Sequence, residues 1–194
     1  MSLNIQRILR IVSVFSSSPF IALLIPIYFL IIDVMSLFEF IHALIFLFII
    51  PLFLPYYWSL RKGIEWDYPN RKERIMPFTM VTISYIIGFA TISLSGSNFL
   101  VKCLHLSYAI TSLTALMITM YYKVSIHIMG IIGPATFLFW AGYLVLSLSL
   151  IILSIVVSYA RIKLKRHTLD QVIVAYIVAL IVNTAVFHVY KLLS

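Results

Sequence analysis

The sequence predicts an all-α, polytopic transmembrane bundle of about six or seven membrane helices, and three observations carry that expectation. Of its 194 residues, 63% are hydrophobic and only 10% charged, with a mean hydropathy of +1.10. A soluble domain needs far more charge to cover its surface. The apolar residues also fall in long runs, whereas the helices of a soluble bundle show a single apolar stripe. Finally, the runs do not alternate polar and apolar residues, which argues against a β-barrel. At about 20 apolar residues per helical crossing, nearly the whole chain, residues 1–194, forms one transmembrane domain.

Polar breaks place helices at about 10–32, 36–60, 75–94, 98–121, 126–141, 143–160 and 168–192. Arg7 and Arg10 precede an apolar stretch that lacks a small-residue cleavage pattern, so it is expected to remain as the first helix. Asp33 closes that helix, and the segment Arg61 to Arg74 closes the second. Ser95-Gly96-Ser97 and Tyr121-Tyr122-Lys123 end the next two. The fifth and sixth share the residues between His127 and Arg161, divided at Ala141-Gly142, and each is short for a full crossing. Arg161 to Arg166 then leads into the last helix.

Counting crossings puts the N-terminus, the 61–74 loop, the 122–127 turn and the 161–167 loop on one face. That face gathers Arg7, Arg10, Arg61, Lys62, Arg71, Lys72, Arg74, Lys123, Arg161, Lys163, Lys165 and Arg166, leaving Lys102 and Lys191 elsewhere. The positive-inside rule makes it the cytoplasmic face of a multi-pass protein, expected in the cell membrane. A net charge of +8 in such loops suits lipid headgroups or an anionic substrate, and nucleic acid is a poor fit. The single cysteine, Cys103, excludes an internal disulfide and a multi-cysteine metal site. Glu39 and His42, three apart near the other face, are expected to form an interfacial pair. Glu-x-x-His occurs once, which does not support a two-metal bundle site. His105 and His188 read as packing or interfacial residues.

Three segments on the basic face carry the candidate chemistry. In Arg71-Lys72-Glu73-Arg74-Ile75-Met76-Pro77, Arg71 and Arg74 share a helix side, and guanidinium groups clamp phosphate oxygens with forked donors. In Lys123-Val124-Ser125-Ile126-His127, Ser125 is placed to cap the following helix, leaving a positive helix end for an anion. His127 then sits in the first turn as a candidate proton donor. In Arg161-x5-His167-Thr168-Leu169-Asp170-Gln171, a cation run ends at a histidine whose imidazole is a candidate nucleophile toward phosphorus. Thr168-x-x-Gln171 matches a capping box, and Asp170 complements the helix dipole. Together these groups resemble a phosphoryl-transfer site.

Arg161-x5-His167, preceded by Ser125-x-His127 and a basic segment ending at Pro77, resembles the type 2 phosphatidic acid phosphatase superfamily over about residues 71–178. The resemblance implies a metal-independent phosphatase without a cofactor, acting on a lipid phosphate among membrane lipids through a phosphohistidine. It implies His167 as nucleophile and His127 as general acid. It also implies Ser125, Arg161, Arg74 and Arg71 or Lys72 as ligands of the phosphoryl oxygens, with Lys123 beside them. The chain departs from the family where Val124 and Ile126 replace the proline and glycine of Pro-Ser-Gly-His, and where Ala160 replaces a serine. Gln171 stands at the position of the family's aspartate, with Asp170 one residue early, so both are candidates to orient His167. The pattern is similar to a short, divergent branch associated with prenyl lipids, which makes a polyprenyl or dolichyl diphosphate the first expected substrate. The alternatives are a phosphatidate- or phosphatidylglycerophosphate-type phosphatase, a transporter or binding protein for anionic lipids, and an inactive relative.

Overall fold

A computed structural model of the chain describes residues 7, 9, 11–12, 16–65, 68 and 70–194. The regular elements among them are α1 (Ser18–Ile31), α2 (Leu37–Lys62), α3 (Arg71–Ser93), α4 (Phe99–Thr119), α5 (Ile126–Trp140), α6 (Leu144–Lys163) and α7 (Leu169–Leu193). All are helical, as expected. Five of them, α2, α3, α4, α6 and α7, are long and apolar enough to cross a membrane. The chain is a membrane protein built as a helical bundle.

The helix expected over 10–32 is interrupted: residues 11 and 12 are helical, and α1 runs from Ser18. Residues 10 and 13–15, Arg10 among them, lie outside the described residues, and Ser16 and Ser17 form a turn and a bend. Pro19 sets the start, because a proline is tolerated in the first turn, where its missing N–H has no partner to lose. In α2, residues Leu44–Ile49 are wound as a π-turn. Pro51 supplies a cause: it has no N–H, and in a regular helix its ring would collide with the Leu47 carbonyl. The Phe46 carbonyl in this stretch accepts from Ser84 Oγ of α3 at 2.9 Å.

The short helix α5 is the centre of the bundle. Residues 128–138 are all buried, with α1, α4, α6 and α7 packed around them. A helix apolar on every side belongs in such a core, and once shielded from lipid it has no need of a full membrane-spanning length. Gly130 permits the approach of α1, since a Cβ there would lie 2.5 Å from the Cβ of Ser18.

Side chains tie the turns at the two ends of the bundle. On one face Arg71 donates to the carbonyls of Thr119 (3.1 Å) and Met120, tying the start of α3 to the end of α4. On the same face Arg166 pairs with Glu65. On the other, Asn98 Nδ2 donates to the Val34 carbonyl at 2.7 Å. The expected Glu39–His42 pair does not form. Glu39 instead accepts from the backbone N–H (2.7 Å) and hydroxyl (2.8 Å) of Ser36, in the capping box that opens α2. His42 Nδ1 meets His105 Nε2 at 3.2 Å, and His105 Nδ1 donates to the Val101 carbonyl at 2.8 Å. His188 packs its ring against Trp140, centroid to centroid at 4.5 Å.

Candidate active site

The spacing Arg161-x5-His167 folds as one closed turn. Helix α6 continues past the expected end at residue 160 to Lys163, so Arg161 lies in its last turn rather than in a loop. The Arg166 N–H bonds the Arg161 carbonyl at 3.0 Å and the Lys165 N–H bonds the Ile162 carbonyl at 3.0 Å. This is the paired closure of a Schellman motif. Its left-handed position is taken by Lys165 at φ 55°, where a glycine is more usual. The turn brings the His167 N–H to 3.3 Å from the Arg161 carbonyl, fixing the imidazole beside the guanidinium that precedes it by six residues.

His167 is buried, and its Nδ1 lies 2.9 Å from Gln171 Oε1. The same oxygen accepts from the Thr168 N–H at 3.4 Å, so the amide presents its carbonyl to this corner. An amide oxygen only accepts, so Nδ1 carries the proton and Nε2 keeps its lone pair. Burial pushes the His167 pKa down to about 3, with Arg161 and then Arg74 adding repulsion and Lys123 contributing further. Gln171 opposes the shift, but the imidazole is neutral at physiological pH.

Arg74 enters from the first turn of α3. It is buried and donates from Nε to the Tyr68 carbonyl at 2.7 Å and from Nη1 to the Val124 carbonyl at 3.4 Å. Tyr68 holds its carbonyl there with φ at 43°, a costly conformation for a bulky residue. Its hydroxyl donates to the Pro55 carbonyl, and burial pushes the phenol up to about 12, so it remains a donor.

Arg74, His127, Arg161 and His167 all line one cavity of about 150 Å³. From this end the cavity runs between α1, α2, α3, α4, α5 and α7, lined mostly by apolar groups such as Pro77, Phe78, Val81, Ala115, Met129 and Pro134. Two buried guanidiniums, a neutral imidazole and a second histidine therefore line a chamber whose wall is otherwise mostly apolar. No family model, curated protein or solved structure matches the chain.

The remaining expected residues sit around this corner rather than on the cavity wall. Ser125 precedes α5, but its hydroxyl makes no cap bond and is buried without a hydrogen-bond partner. Arg71 is turned to the end of α4, as described above, and Lys72 is exposed. Asp170 is exposed, and its carboxylate accepts from the Tyr122 hydroxyl. Of the acid and the amide that were candidates to orient His167, the amide Gln171 makes the bond and Asp170 is engaged with Tyr122. Other cations of the basic face lie over aromatic rings: Arg61 on Tyr57, Lys62 on Trp58 and Lys163 on Tyr159. Sequence reasoning missed Tyr68, whose role depends on backbone geometry that no side-chain pattern announces. Among the described residues, no group of three or more His, Cys, Asp or Glu is placed to hold a metal ion.

Proposed function

We propose that this protein is a membrane-embedded lipid phosphatase acting through a phosphohistidine at His167. The observation that carries the reading is the Gln171–His167 bond beside two buried arginines in a cavity whose wall is mostly apolar. Arg74 and Arg161 bind the phosphoryl oxygens and stabilise the charge that develops on them. His167 Nε2 attacks phosphorus and the bond from phosphorus to the leaving oxygen breaks. His127 gives that oxygen a proton, then takes one from the water that attacks phospho-His167 and releases phosphate. The lipid tail lies along the apolar wall. The reading places the chain in the type 2 phosphatidic acid phosphatase superfamily, with Gln171 doing the work of that family's aspartate. The phosphate end of the cavity does not select among tails, so a polyprenyl diphosphate is the first substrate to assay and a phosphatidate the second.

The test is phosphate release by the detergent-purified protein in the presence of EDTA, beside His167→Ala. Release by the wild type alone is the expected result. Equal release by the variant, or none by either protein across diphosphate and monophosphate lipids, overturns the proposal.

A further inference from the structure

The inner part of the same cavity is not apolar throughout. Thr82 of α3, Ser107 and Tyr108 of α4 and Asn183 of α7 all line it and are all buried. Their Thr82 Oγ1, Ser107 Oγ, Tyr108 Oη and Asn183 Oδ1 atoms have no hydrogen-bond partner. This is not the usual behaviour of hydroxyls in this bundle. Thr114, Thr119, Thr136 and Ser149 each donate to the carbonyl four residues earlier in their own helix, at 2.7–2.8 Å. Four buried, unpartnered polar atoms from three helices lining one cavity are expensive unless an occupant satisfies them. Hydrocarbon cannot.

Asn183 sharpens the requirement. Its Nδ2 donates to the Ala179 carbonyl at 2.9 Å and to Thr111 Oγ1 at 2.9 Å. A carbonyl only accepts, which fixes the amide orientation and leaves Oδ1 as a pure acceptor. The place of Asn183 is built into the backbone, because a Cβ on Gly133 would come within 2.9 Å of Nδ2. Gly133 stands six residues along α5 from His127, about 9 Å at the helical rise, and Asn183 stands fourteen residues along α7 from Leu169, about 21 Å, so the two helices bracket the depth of this wall below the proposed phosphate end.

We propose that this wall is a tail-recognition subsite. It takes a lipid phosphate whose chain carries a hydrogen-bond donor, a hydroxyl or an amide N–H, about 9–21 Å from the phosphate end. The inference rests on the proposed phosphatase reading for the position of the phosphate and narrows the tail. A plain isoprenoid or alkyl chain leaves Asn183 Oδ1 unsatisfied, and the ester carbonyls of a diacyl lipid offer it another acceptor.

Equilibrium binding to the detergent-purified full chain, followed by tryptophan fluorescence, tests the subsite independently of turnover. The probes are alkyl phosphates of one chain length: unsubstituted, hydroxylated beside the phosphate, or hydroxylated at a position varied over about 9–21 Å along the chain. The wild type is expected to bind the last about tenfold more tightly than the other two, about 1.4 kcal/mol. Asn183→Leu and the near-isosteric Thr82→Val each reduce that preference, and either variant suffices if the other does not fold. Equal binding of all three probes, or a preference unchanged in the variants, overturns the proposal. Phosphate release measured on the same samples separates the two claims. A binding preference without release removes the phosphatase reading and leaves the subsite, whereas release without preference does the reverse.

Discussion

Gln171→Leu keeps roughly the volume of the side chain and deletes the oxygen that holds His167 Nδ1 at 2.9 Å. As His167 attacks phosphorus its ring gains positive charge, so the deleted bond is one to a charged group in the transition state. Such bonds contribute about 1.5–3 kcal/mol, and at 1.36 kcal/mol per decade of rate kcat should fall by about 10- to 150-fold. KM should change little, because in the proposed mechanism Arg74 and Arg161, not Gln171, bind the phosphoryl oxygens. Gln171→Glu keeps an acceptor and adds a negative charge. The His167 pKa, held at about 3 by burial and the two arginines, then rises. Attack needs the neutral ring, which is lost as pH falls through that pKa, so the acid limb of kcat/KM moves to higher pH in the Glu variant. The assay is the initial rate of phosphate release as a function of pH for the three proteins. Wild-type kcat in Gln171→Leu, or an acid limb that moves down in Gln171→Glu, refutes the assignment of Gln171 as the group that orients the nucleophile.

Other substitutions separate the site from its surroundings. Arg161→Lys keeps the charge but loses the forked donor geometry, and kcat/KM should fall by more than about tenfold in phosphate-release assays while the protein still purifies as a folded species. Asp170→Asn should change kcat by less than about threefold, as expected of an exposed residue engaged away from His167, and steady-state kinetics check this. Gly130→Ala places a methyl 2.5 Å from Ser18 Cβ and 3.0 Å from its Cα. Because backbone must yield there, thermal unfolding in detergent should show a loss of about 1–3 kcal/mol.

The expected helix positions correspond closely to α2, α3, α4, α5 and α7, because Ser, Gly, Asn and charged breaks separate long apolar runs that have no other way to satisfy backbone groups in lipid. The sequence was a poorer guide where local chemistry competes. Nothing in residues 44–49 announces a π-turn; the cause lies downstream at Pro51. No breaker follows Tyr159, so α6 carries Arg161 inside its last turn, and a lysine rather than a glycine takes the left-handed position that closes it. The candidate site was legible as residue types: His127, His167, Arg74 and Arg161 all line one cavity. Arg71 and Lys72 were indistinguishable from Arg74 by spacing and charge. What separates them is the direction each side chain takes from α3, toward the end of α4, toward solvent or into the bundle. Gln171 and Asp170 differ by one residue, about 100° around a helix, and that rotation decides which of them faces His167.

The central claim is that His167 becomes covalently phosphorylated during turnover. Rapid mixing of the purified protein with a radiolabelled lipid phosphate, followed by an alkaline quench, should trap label on the protein, since a phosphohistidine survives alkali and is lost in acid. Peptide mass spectrometry should place the phosphate on His167, and His167→Ala should carry none. Phosphate release without acid-labile label on the protein, or label on another residue that persists in His167→Ala, contradicts the account.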